Sequence, residues 1–115
     1  MSQLHHRETA NERKSARAAA HRHAIEERKR LAIIDALERL RQRTETVLAD
    51  LRNAVASLDE SIEIELQSSP TRDINDFSFP MTARAMITRR DNVRATIAAI
   101  SEEMARSRHR ETSVV

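Results

Sequence analysis

The residues able to do chemistry are few, and their spacing decides what each can do. Histidines stand at His5-His6 and His21-x-His23, types that hold zinc or copper when they converge. On a helix two ligands share a face at a spacing of i, i+4, whereas positions 21 and 23 point about 200° apart. With no cysteine in the chain and no carboxylate converging on them, these histidines read as solvated side chains, and no metal centre is expected. The densest carboxylate group is Asp59, Glu60, Glu63 and Glu65. Acid–base catalysis would need such groups in a dry concave pocket. They are expected instead to face Arg84, Arg89, Arg90 or Arg94 as register-setting pairs between helices. Exposed pairs of that kind contribute only about 0.2–1 kcal/mol. A chain without glycine builds no phosphate-cradling loop, and one without cysteine has no thiol nucleophile. An enzyme is therefore not expected, nor any cofactor.

The elements that position these residues follow from composition. The chain has 115 residues, 33% of them Asp, Glu, Lys or Arg, with no Gly, Cys, Trp or Tyr, two Phe and two Pro. A β-protein would need glycine at its turns and aromatic residues on its strands. Abundant Ala, Leu, Ile, Arg and Glu belong to long solvated helices and coiled coils. No apolar run approaches the roughly 18–20 residues of a membrane span. The segment MSQLHHRETANERK lacks the apolar core of a secretory signal. These features together predict a cytoplasmic helical chain.

From Ile33 onward apolar residues recur at helical spacing. A heptad seam runs through Ile34, Leu37, Leu48, Leu51, Val55, Leu58 and Ile62, interrupted by Arg41 and Thr44, with Ile33, Leu40 and Val47 widening it into a face. Nothing between Ile33 and Gln67 breaks a helix. The stretch 67–80 holds both prolines, both phenylalanines and a cluster of Ser, Asp and Asn, which is turn chemistry. Phe77 and Phe79 suggest that this loop folds back onto the helix ends. A second helix is expected from Pro80, with the seam Ala83, Met86, Arg90, Val93, Ile97, Ile100 and Met104. Folding back at the turn sets residues 81–113 against residues 66–34. The fold class is therefore all-α: an antiparallel two-helix coiled-coil hairpin over 31–113, with residues 1–30 as a basic arm, helical or partly disordered. Two helices leave their seam half open, so a second copy or another protein is expected to cover it, and a homodimer is one such arrangement.

Charge is uneven along the chain. Residues 1–30 carry eight Arg/Lys against four acids, residues 31–70 four against eight, and residues 71–115 eight against six. A basic arm can meet nucleic acid or an acidic protein. Here the cations are interleaved with Glu8, Glu12, Glu26 and Glu27, and no aromatic offers base stacking, so a nucleic-acid partner is not expected. Arg90 sits at a seam position better filled by an apolar residue. The polar interruption Arg89-Arg90-Asp91-Asn92 reads first as a register device and second as a contact site.

The stretch Asp73-Ile74-Asn75-Asp76-Phe77-Ser78-Phe79-Pro80, followed by Ala83, Ala85 and Arg89-Arg90-Asp91-Asn92-Val93, resembles the mid-chain turn of flagellar export proteins of the FliJ type. The likeness is to a short, alphaproteobacterial-like form. The acidic end of the first helix and the Glu27-Arg28-Lys29-Arg30 segment are also similar, so the resemblance covers roughly residues 25–105. It implies a cytoplasmic, non-catalytic coiled coil of the flagellar type III export apparatus. Members of that family act as a stalk in the export ATPase ring, touch the export gate and handle substrate chaperones. On that resemblance Phe77, Phe79, Arg89 and Arg90 are the partner-binding candidates. Two other readings stand beside it: a small dimeric helical adaptor, and a nucleic-acid-associated protein using the basic arm.

Overall fold

A computed structural model describes the backbone of residues 2–114 and the side chains of residues 9–112. The protein is all-α, with two long helices: α1 (Ser2–Gln67) and α2 (Met81–Val114). The contacts divide the chain into two compact units, Met1–Leu40 and Arg41–Val115, where the sequence suggested a boundary at residues 30 and 31.

In the first unit the backbone is helical throughout its described length. No glycine or proline lies in α1 to interrupt it. Pairs one turn apart brace its exposed surface: Lys29–Glu26 at 3.9 Å, Arg30–Glu27 at 2.6 Å and Arg39–Asp35 at 3.1 Å. Each contributes about 0.2–0.5 kcal/mol. Leu31, Ile33, Ile34, Leu37 and Leu40 are all exposed. Ile34 and Leu37, expected as the first seam positions, are 53% and 42% exposed.

The second unit is the antiparallel hairpin. Asp59 meets Arg90 at 3.1 Å and Arg41 meets Glu111 at 2.6 Å, so one residue number rises as its partner's falls. Arg41 and Thr44, which looked like interruptions, are half-buried seam positions themselves. The core is small. Leu48, Ile62, Phe79 and Ala83 are the buried apolar residues, while Leu51, Val55, Leu58, Met86, Val93, Ile97, Ile100 and Met104 are half-buried. A helix packed on one neighbour covers only part of its apolar stripe, which is why the seam stays open to one side.

The connection between α1 and α2 reverses the chain without a positive φ among the described residues. Short side chains stand in for glycine. Asp73 accepts the Asn75 amide at 3.0 Å, Asp76 accepts the Ser78 amide at 2.9 Å, and Thr71 accepts the Asp73 amide at 3.0 Å. Two backbone turns follow, Asp76 N–H to Asp73 C=O and Phe79 N–H to Asp76 C=O, both at 3.0 Å. Pro80 lies one position before the first helical residue rather than within the first turn. Its carbonyl accepts the Arg84 amide at 3.0 Å, which is the N-cap role and needs no N–H from proline.

Candidate partner-binding surfaces

The turn separates its two aromatic rings sharply. Phe79 is 4% exposed and lies near Ala83, itself fully buried, at the start of α2. The Arg84 guanidinium stands 5.4 Å from the Phe79 ring centre and donates to the Ile74 carbonyl at 2.7 Å, clamping the loop onto α2. Phe77, two residues earlier, is 99% exposed. One ring thus holds the turn and the other is presented by it. The sequence could not tell them apart, because both occupy a loop with no periodicity.

Charged groups fasten the same end of the hairpin. Arg72 reaches back to Glu63 through both terminal nitrogens, at 3.0 and 3.3 Å. That hydrogen bond, and then the charge behind it, holds the Glu63 carboxyl below its ordinary range and raises Arg72 in turn. Asp76 is likewise lowered, first by the Ser78 amide and then by the Ser78 hydroxyl. Glu63 therefore serves the loop, where the sequence suggested a partner on α2.

Arg89 and Arg90 also part ways. Arg89 is exposed and makes no ion pair among the described residues. Arg90 is drawn into the seam, its side chain 22% exposed, between Asp59 at 3.1 Å and Asp91 at 3.2 Å. Burial pulls its pKa down, but the hydrogen bonds and charges of Asp59 and Asp91 outweigh that and leave it raised. Arg94 shares Asp59 at 3.4 Å. The register pairing expected of Arg90 with Asp59 is present, and Arg90 already has its partners within the chain.

Further along the hairpin a shallow groove of about 440 Å³ is lined by Glu45, Leu48, Arg52, Ser101, Met104 and Arg108. It holds a single carboxylate, which is not the paired arrangement of acid–base catalysis. No group of three metal-ligating side chains occurs among the described residues; the side chains of His5 and His6 lie outside them. No helix is long and apolar enough to cross a membrane among the described residues. The chemistry on offer is recognition: an exposed ring at the turn, an exposed arginine on α2, and exposed aliphatic side chains between residues 31 and 40.

No family model matches this chain, and neither a curated protein nor a solved structure does so.

Proposed function

We propose that the protein is a non-catalytic coiled-coil accessory factor of flagellar type III protein export, acting in the cytoplasm through contacts with the export ATPase, the export gate or secretion chaperones. The observation that carries this reading is the turn. The segment on which the sequence resembles FliJ-type proteins is the one that presents Phe77 almost wholly to solvent at the end of a helical hairpin. A fully exposed aromatic ring is the kind of side chain that anchors a protein–protein contact. Phe77 and Arg89 are the contact residues in this reading; Phe79 and Arg90 act behind them, holding the turn and the seam.

The test is deletion of the gene in its own host, scored by swimming in soft agar and by secreted flagellin. Non-motile cells that retain flagellin inside are expected. Cells that swim and secrete normally would remove the export reading. In a pull-down, Phe77→Ala with Arg89→Glu should weaken capture of the ATPase or gate component while helicity is kept.

A further inference from the structure

Read along the chain, the acids of the arm are interleaved with its cations, and a polyanionic partner is not expected. The helix rearranges them. At about 100° per residue, and with Arg13 as origin, Arg17 lies at about 40°, Arg28 at 60°, Lys14 at 100°, Lys29 at 160° and Arg22 at 180°. Glu26, Glu12 and Glu27 lie at about 220°, 260° and 320° on the same wheel. Arg30 stands on that second half, where Glu27 neutralises it at 2.6 Å. One half of the helix surface is thus cationic and the other half holds the acids.

All of these cations are exposed, and among the described residues Arg13, Lys14, Arg17, Arg22 and Arg28 make no ion pair. Arg28 donates only to the Ala24 carbonyl, and Lys29 touches Glu26 at a loose 3.9 Å.

We propose that this face binds the phosphate backbone of duplex DNA, with the helix lying in the major groove. The breadth of the arc selects that partner. A flat acidic protein surface meets a narrow stripe of a helix. Cations spread over half the circumference need anions on two walls, with Arg13, Arg17 and Arg28 toward one and Arg22 and Lys29 toward the other. The major groove is about 12 Å wide and admits a helix of about 10–12 Å diameter. The A-form groove of duplex RNA is too narrow for this, and single strands are bound chiefly by aromatic stacking, which this face lacks. Contacts made by Arg and Lys to phosphates carry no sequence preference.

The experiment is fluorescence anisotropy of the full chain with a labelled duplex of mixed sequence and, separately, its single strand, from about 50 to 200 mM salt. Six phosphate contacts give a log–log salt slope of about −5, so the duplex affinity should fall about a thousandfold over that range. Arg13→Glu, Lys14→Glu, Arg17→Glu and Arg22→Glu together should abolish binding. The four glutamine replacements, which remove the charge at those positions without reversing it and leave Arg28 and Lys29, should reduce the slope to about −2. Arg106→Gln with Arg110→Gln on α2 should leave binding unchanged. Absence of duplex binding at the lowest salt overturns the proposal, as does equal binding by the glutamine variant or by the single strand. Capture of poly-glutamate but not of DNA also overturns it, in favour of an acidic protein surface.

Discussion

Arg90→Met isolates the polar layer in the middle of the seam. Arg90 has a side chain 22% exposed, flanked by Asp59 and Asp91 carboxylates that are 42% and 57% exposed. Pairs that open to water contribute between about 0 and 1 kcal/mol. Against that stands the cost of drawing a guanidinium partly out of water, and burying the thioether stem of methionine there should return roughly 1 kcal/mol. Asp59 is not orphaned by the change, because Arg94 remains at 3.4 Å. The net expectation lies between neutral and about 1 kcal/mol of stabilisation, a melting shift of about 0 to +8 °C for a hairpin of this size. The assay is thermal melting by far-ultraviolet circular dichroism at one protein concentration, in low and in high salt. The wild type should lose stability on adding salt and the variant should lose less. A fall of more than about 8 °C in the variant would refute the reasoning, since Arg90 would then be a net source of stability rather than a determinant of register.

Other expectations follow from the same geometry. Phe79→Ala should destabilise the hairpin by about 3 kcal/mol, whereas Phe77→Ala should change stability by less than about 0.5 kcal/mol; urea melts of the pair compare them directly. Equal losses would mean that the two rings share one environment. Glu63, Asp76 and Glu103 are held below their ordinary values of 4.5, 3.8 and 4.5, so their folded forms bind protons less readily than the unfolded chain. Their stabilisation is present in full above about pH 5 and is lost as pH falls through those lowered values. The urea midpoint should therefore drop between pH 5 and pH 3, and Arg72→Gln should flatten that drop; an unchanged midpoint would count against the Arg72–Glu63 clamp. With so few buried apolar residues, self-association should close the seam at micromolar concentration. Light scattering should then give about twice 13.2 kDa, and a cooperatively melting monomer would sink that expectation.

Much of the hairpin is legible in the residues. The uninterrupted period from Leu48 to Ile62, the turn chemistry of 67–80 and the three-and-four spacing from Ala83 to Met104 each follow from local rules of propensity and pattern. The seam through Arg41 and Thr44 was hidden. A polar residue reads as an interruption until its partner is known, and Glu111 lies seventy positions away. Ile34 and Leu37 illustrate the converse, since a periodic apolar residue marks a face able to be buried without showing what buries it.

Composition and periodicity were enough for the all-α class and the two helices, because helix formation and chain reversal are local events. Which aromatic ring is buried, which arginine is spent inside the seam and which carboxylate serves the loop depended on tertiary register, because each turns on where a distant side chain comes to rest. Phe77 and Phe79 differ by two positions in sequence and by nearly their whole surface in the fold.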